Sequence, residues 1–151
     1  MASPTVYKGS CSCGAIQIEV EGGPAHVALC HCRNCHKTTS SAYSTNWVVP
    51  RPAFRVSKGT PTTYEATGGS GNPVKRQFCG QCSCVLWTEA PAFAGIVVVK
   101  AGVMDDGAFE QFKPASETFT TRKPAWVPCI EGAAQFAEAW QASGADQVAK
   151  E

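Results

Sequence analysis

The sequence lacks a long apolar run and an excess of charge of either sign. No apolar stretch approaches the roughly 18–20 residues that a membrane-spanning helix needs, and residues 1–9 contain no hydrophobic signal-peptide segment. Thirteen Lys and Arg residues against twelve Asp and Glu give a net charge of +1, which indicates no basic surface for nucleic acid. We therefore expect a soluble, cytoplasmic protein, and neither nucleic acid nor a membrane is indicated as its partner.

Short segments of alternating apolar and polar residues, separated by glycine and proline, fill most of the 151 residues. This pattern predicts a mostly β, largely antiparallel sandwich or open barrel that forms one domain over residues 1–151. A short turn or helix is predicted at residues 35–39. Strands are predicted at residues 6–8, 16–20, 26–29, 43–49, 54–57, 62–66, 74–79, 84–88 and 95–101.

One amphipathic helix is predicted near the C-terminus. Ala133, Phe136, Ala137 and Trp140 follow the i, i+3, i+4, i+7 spacing of a helix with one apolar face. We therefore expect a short helix over residues 132–143 that closes one edge of the sheets.

Nine cysteines are the most informative feature of the sequence. In a reducing compartment, cysteines at short spacings favour metal ligation over a disulfide framework. Zinc binds thiolates in a tetrahedron, and two cysteines on one tight turn supply two of its corners. Seven of the cysteines form clusters of this kind, which are Cys11 with Cys13, Cys30 with Cys32 and Cys35, and Cys79 with Cys82.

The spacing permits more than one grouping of these sulfur atoms. The two pairs can make a closed four-cysteine site of the structural kind, and the triplet can hold a second zinc with one open corner, as in catalytic sites. Alternatively, Cys30 and Cys35 join the last pair, and the first pair remains as a redox pair. The triplet could also be structural, with His31 or His36 as the fourth ligand.

Residues outside these clusters have structural interpretations. His31 alternates with its cysteine neighbours, which predicts that its side chain points away from the metal and lies behind the ligands or at the surface. Buried free thiols are predicted for Cys84 and Cys129. A turn is predicted at Asp105 and Asp106. Packing in the core or at its edge is predicted for the tryptophans Trp47, Trp87, Trp126 and Trp140.

The order C-x-C-G, C-H-C-x-x-C, F-C-x-x-C and A-G-x-x-D-D resembles the glutathione-dependent formaldehyde-activating enzyme family, which includes the centromere protein V relatives. The matching segments begin at Cys11, Cys30, Phe78 and Ala101. The resemblance implies a β-tent of stacked antiparallel sheets with two zinc ions. It implies a structural zinc on Cys11, Cys13, Cys79 and Cys82, and a second zinc on Cys30, Cys32 and Cys35.

The resemblance also implies a carbon–sulfur lyase-like enzyme that joins formaldehyde to glutathione as S-hydroxymethylglutathione and reverses the reaction. Zn²⁺ would be the cofactor, glutathione the co-substrate, and the second zinc with its three cysteines the catalytic group. Arg33, Lys37 and Arg122 are candidates for pairing with substrate carboxylates. The alternatives are a related lyase or isomerase that acts on another small metabolite, and a noncatalytic zinc-binding module for a protein partner.

Two features depart from the family pattern. Ser83 follows Cys82 where the family commonly has glycine. The segment 117–126 keeps its final Trp126 but lacks the usual histidine near its start. Despite these departures, we expect the fold and the metal sites of the family. The particular substrate stays undetermined, because a fold does not fix a substrate.

Overall fold

The computed structural model describes residues 2–68 and 71–139, and no helix in these ranges is long and apolar enough to cross a membrane. The described residues are mostly β, as predicted. The helices are α1 (Arg33–Thr39) and α2 (Ala108–Gln111), with short 3-10 turns at Arg51–Ala53, Pro91–Phe93, Ala101–Val103 and Thr120–Arg122. The strands are β1 (Val6–Ser10), β2 (Gln17–Glu21), β3 (His26–Cys30), β4 (Ser44–Pro50), β5 (Phe54–Lys58), β6 (Thr62–Thr67), β7 (Pro73–Phe78), β8 (Val85–Glu89), β9 (Ile96–Lys100), β10 (Ser116–Thr118) and β11 (Ala134–Gln135).

The described strands form two sheets of unequal size. The small sheet has the order β1-β2-β5, and the large sheet has the order β11-β10-β3-β4-β9-β8-β7-β6. Paired strands run antiparallel except at one edge of the large sheet, where β10 is parallel to both β3 and β11. The prediction of a largely antiparallel structure is therefore confirmed, and the parallel pairs of the described strands are confined to this edge.

The main core lies between the small sheet and one face of the large sheet. Ile18 of the small sheet packs in the same buried cluster as Trp47 of β4 and Val99 of β9. Successive side chains of a strand point to opposite faces, so the residues in between lie on the outer face of the large sheet. Asn46 and Lys100 occupy that outer face directly opposite each other on β4 and β9.

The helix predicted over residues 132–143 is wrong for residues 132–139, and residues 140–143 lie outside the described part of the chain. Residues Ala134–Gln135 form β11 instead. The backbone N–H groups of Ala134 and Phe136 donate to the carbonyl oxygens of Ala115 and Glu117 at 2.9 and 2.8 Å. The expected burial of Phe136 is correct, but pairing with β10 supplies the hydrogen bonds that a helix would have made.

The tryptophans differ in their environments. Trp47 and Trp87 are buried in the core, as predicted. Trp126 is 78% exposed, so the expected packing is wrong for this residue, which lies in the connection after the last 3-10 turn rather than on a strand. Trp140 lies outside the described residues.

The two unclustered cysteines also differ. Cys84 is half-buried beside the main core, and this burial raises the pKa of its thiol. Cys129 is exposed, and the Nζ atom of Lys123 lies 2.8 Å from its sulfur. The predicted burial of Cys129 is therefore wrong, because this residue lies in the irregular connection that precedes β11.

Candidate functional site

The first candidate metal site brings two distant cysteine pairs together. The Sγ atom of Cys13 lies 3.6 Å from that of Cys11 and 3.7 Å from that of Cys79. A tetrahedral zinc with Zn–S bonds of about 2.3 Å places its sulfur atoms about 3.8 Å apart, so this donor set fits zinc. The complete group, with all ligand atoms within 4.8 Å of one another, is Cys11, Cys13, Cys79 and Cys82.

Tight turns position both pairs of this four-cysteine group. Gly14 closes the first turn with φ +75°, a left-handed conformation that glycine adopts at little cost. Ser83 closes the second turn with φ +62°, and its N–H donates to the Cys79 carbonyl at 2.8 Å. A hydrogen bond from the backbone of Cys84, followed by one from Cys13, lowers the pKa of Cys82 to about 6. The second turn therefore favours the thiolate form of Cys82, which is the form that zinc binds.

Replacing Ser83 with glycine is expected to raise the free energy of unfolding by up to about 1 kcal/mol. Glycine relieves the left-handed strain at this position, and this gain exceeds the loss from the greater conformational entropy that glycine gives the unfolded chain. The urea midpoint of the zinc-loaded protein measures the change. Gly14→Ser is the matched opposite, since nothing lies within 4 Å of the added Cβ and only backbone strain changes. A lower midpoint for Ser83→Gly would mean that the serine hydroxyl bond to the Cys82 carbonyl, at 2.6 Å, outweighs the strain.

The second candidate metal site is local in sequence and has three sulfur atoms. Cys30 ends β3, Cys32 is the N-cap of α1, and Cys35 lies in the first turn of that helix. Their sulfur atoms lie within 4.8 Å of one another, and no histidine or carboxylate atom of residues 2–68 and 71–139 joins the group. His36 and His31 therefore do not complete a fourth corner.

The three sulfur atoms of this cluster have different proton affinities. Hydrogen bonds from Cys30 and then Cys32 lower the pKa of Cys35 to about 2, with smaller contributions from Lys100 and from the Ser44 hydroxyl, whose oxygen lies 2.9 Å from the sulfur. The same sulfur contacts, together with burial, raise the pKa of Cys30 well above its ordinary value. Three thiolates this close need a cation to compensate their charge, and a divalent ion such as zinc provides one.

His31 turns toward β10, away from the cysteine cluster, as predicted, and it is buried rather than at the surface. Its Nε2 donates to the Oε1 atom of Glu117 at 2.7 Å, and both side chains are 0% exposed. The Ile130 N–H and the Gln135 side-chain amide donate to the other carboxylate oxygen at 2.9 and 2.7 Å. Burial raises the pKa of Glu117, but hydrogen bonds from Gln135, Ile130 and His31 outweigh it and hold the pKa below its usual range.

A cavity of about 360 Å³ opens beside the three-cysteine cluster. Its floor is the outer face of the large sheet, and Val98 and Phe93 contribute to its apolar walls. Lys100 and Arg76 are the two cations that line it among the described residues. A concave, mostly apolar site with a few polar groups is typical of a small-molecule binding pocket.

The cations predicted to bind substrate are not those that the structure places at the cavity. Arg33 and Lys37 are exposed on α1, and Arg122 forms an exposed ion pair. None of these three lines the cavity. The sequence does indicate that Lys100 is unusual, because it is the one charged residue of an otherwise apolar strand. It lies two residues after Val98, so both side chains point to the same face of that strand.

Asp105 and Asp106 lie in a turn, as predicted. Ser10 donates from its hydroxyl to Asp105 at 2.6 Å, and Asp106 takes a positive φ of 55°. Both carboxylates line a different cavity from the one beside the cysteines. They therefore have no part in chemistry at the three-cysteine cluster.

The fold and the two cysteine groups define a β-rich domain with two candidate zinc sites, one with four ligands and one with three. The family model described as glutathione-dependent formaldehyde-activating enzyme matches residues 6–122, and the chain belongs to this family. A crystal structure of a Rhodobacter sphaeroides protein is similar, with a TM-score of 0.55 and 23% identity over 74% of this chain and 99% of that chain, and it supports the fold. No curated protein matches the sequence.

Proposed function

We propose that the protein is a carbon–sulfur lyase-like enzyme that joins formaldehyde to glutathione, or to another thiol, and reverses the reaction. In the forward direction the thiol loses its proton and its sulfur forms a bond to the carbonyl carbon. The carbon–oxygen π bond breaks, and the oxygen gains a proton to give the S-hydroxymethyl adduct. Membership of the family supports this reaction.

The observation that carries the proposal is the position of the three-cysteine cluster at the wall of a cavity. A zinc ion held by Cys30, Cys32 and Cys35 would keep a fourth position for a substrate sulfur or oxygen and stabilise negative charge there. The four-cysteine group has a complete donor set, and its Cys11 and Cys79 belong to the main core. This contrast supports a structural role for the first site and a catalytic role for the second.

The chain's own residues would hold the reactants together. Val98 and Phe93 give the cavity apolar surface against which the reactants would pack. Asn34 of α1 donates to the Thr67 carbonyl and so ties the helix that carries Cys35 to the end of β6. Holding the thiol and the aldehyde in one site makes bond formation effectively unimolecular, which lowers the barrier.

We expect the zinc-loaded protein to accelerate the exchange between free glutathione and its formaldehyde adduct at least about tenfold over the spontaneous rate. Two-dimensional NMR exchange spectroscopy measures both rates in the same sample. Cys35→Ser removes a ligand from the second site and is expected to abolish the acceleration. Cys129→Ser removes an exposed thiol outside both clusters and is expected to retain it.

A wild-type rate equal to that of buffer would contradict the proposed reaction. Calorimetric titration with glutathione would then decide whether a thiol is a ligand at all. Binding without exchange would favour a related enzyme that acts on a different thiol adduct. Absence of binding would favour a metabolite without a thiol or a noncatalytic module.

A further inference from the structure

Lys100 is a cation at the cavity that the cysteine cluster alone does not explain. Its Nζ atom donates to the Oδ1 atom of Asn46 at 2.9 Å, and the two residues face each other across β4 and β9. Among residues 2–68 and 71–139, no carboxylate oxygen lies within ion-pair distance of this ammonium group. An ammonium group has three donors, so Lys100 keeps donors available for a ligand in the cavity.

A chain of contacts links Lys100 to the cysteine end of the cavity. The Ser44 hydroxyl oxygen lies 2.9 Å from the Cys35 sulfur and 3.2 Å from the same Asn46 oxygen that Lys100 binds. Ser44 has a single proton, which it can donate to the Cys35 sulfur or to the Asn46 oxygen, so it connects the two groups. The positive charge also lowers the pKa of the Cys35 thiol, after the larger effects of the neighbouring sulfur atoms.

The second cation of the cavity has different contacts. The Arg76 guanidinium stacks over the exposed Tyr64 ring at 5.5 Å. Lys100 is linked through Asn46 and Ser44 to the Cys35 sulfur. These contacts favour Lys100 as the cation that acts on the reacting atoms.

We propose that Lys100 is a catalytic residue that stabilises the negative charge on the carbonyl oxygen as the carbon–sulfur bond forms, and that donates a proton to that oxygen. The thiol proton leaves to solvent on binding, the Lys100 proton moves to the oxygen, and the resulting amine regains a proton from water. The reverse reaction follows the same path backwards. This inference rests on the proposed function, and it adds the residue that stabilises the developing charge.

The surroundings of Lys100 suit this role. Charge stabilisation is strongest in a site with apolar walls and little water, and Val98 lies on the same face of β9 two residues away. Asn46 fixes the ammonium group before the substrate arrives, so little reorganisation accompanies the reaction.

Lys100→Met, which keeps side-chain length and removes the charge, is expected to lower the catalysed part of the NMR exchange rate, after subtraction of the spontaneous rate, about 100-fold or more. The dissociation constant for glutathione, measured by calorimetry on the same zinc-loaded sample, is expected to stay within about threefold, because the interaction develops only in the transition state. Lys100→Arg keeps the charge and is expected to recover part of the rate. Lys37→Met removes an exposed charge from α1, outside the cavity, and is expected to match the wild type in both measurements.

Circular dichroism and zinc content establish that each variant is folded and loaded, and Lys100→Gln replaces Lys100→Met if the latter does not fold. Equal rates for wild type and the neutral variant would overturn the role of Lys100 and leave the proposed function intact. A rate loss matched by an equal rise in the glutathione dissociation constant would also overturn it, since Lys100 would then bind a substrate carboxylate. If the wild type itself does not accelerate exchange, the proposed function fails and the inference fails with it.

Discussion

Replacing Cys79 with serine is expected to unfold the protein, whereas replacing Cys32 with serine is expected to leave it folded and inactive. The difference arises from what each cluster connects. The four-cysteine group joins the β1–β2 turn of the small sheet to the β7–β8 turn of the large sheet, and Cys13 and Cys79 are 66 residues apart. The three-cysteine cluster joins only the end of β3 to α1.

The free energies involved predict different results for Cys79→Ser and Cys32→Ser. A structural zinc contributes about 10–16 kcal/mol in isolated zinc-binding peptides, which equals or exceeds the total stability of about 5–15 kcal/mol of a typical domain. Cys79 is also buried in the main core, so a serine there leaves a buried hydroxyl. Cys32 is the N-cap of α1, and serine is a good N-cap residue, so we expect Cys32→Ser to cost about 1 kcal/mol.

Thermal unfolding followed by circular dichroism, with zinc content per chain, tests this prediction. Wild type and Cys129→Ser are expected to bind two zinc ions, and Cys32→Ser one. Cys79→Ser is expected to show no cooperative transition. If Cys32→Ser unfolds as completely as Cys79→Ser, both sites are structural and the interaction-module alternative gains support.

Replacing Glu117 with alanine is expected to destabilise the protein by about 3–5 kcal/mol, because it removes a buried carboxylate and leaves three buried or half-buried donors without an acceptor. His31 loses its hydrogen bond to the carboxylate, and the Ile130 N–H and the Gln135 amide lose theirs. For a chain of this size the melting temperature should fall by about 10 °C. Glu117→Gln keeps one acceptor oxygen and is expected to cost less.

The pH dependence of the wild type against Glu117→Gln tests the charge of this carboxylate. The folded-state pKa of Glu117 lies below its usual range, so the carboxylate contributes stability that is fully present above the unfolded pKa of about 4.3. That contribution is lost as the pH falls from there through the folded pKa. The difference in melting temperature between the two proteins should therefore be constant at neutral pH and shrink below about pH 4. Zinc release in acid affects both proteins, and a difference that persists at low pH would contradict an ionised Glu117.

The sequence was sufficient to predict the cysteine clusters and most of the strands, because both depend on short spacings. All nine predicted strands overlap observed ones. Two cysteines that bind one metal from a single tight turn are two or three residues apart, so this spacing identifies them in the sequence. The pairing of the Cys11 and Cys79 clusters depends on how the two sheets pack, and only the resemblance to the family favoured it over the alternatives.

The missed elements depend on contacts between distant segments. β10 and β11 have three and two residues, too few to show a period. Glu117 lies in a polar stretch and is buried only because β10 inserts between β3 and β11. The helix prediction failed over residues 132–139 for the same reason, because β11 has only two residues and is fixed by hydrogen bonds to the distant β10.

The two faces of the large sheet place different requirements on neighbouring residues of the same strand. Along β4 and β9, residues such as Trp47 and Val99 maintain the core, while their neighbours Asn46 and Lys100 face the cavity. We therefore expect substitutions at neighbouring positions of these strands to change different properties, the stability of the core at one position and the shape and charge of the cavity at the next.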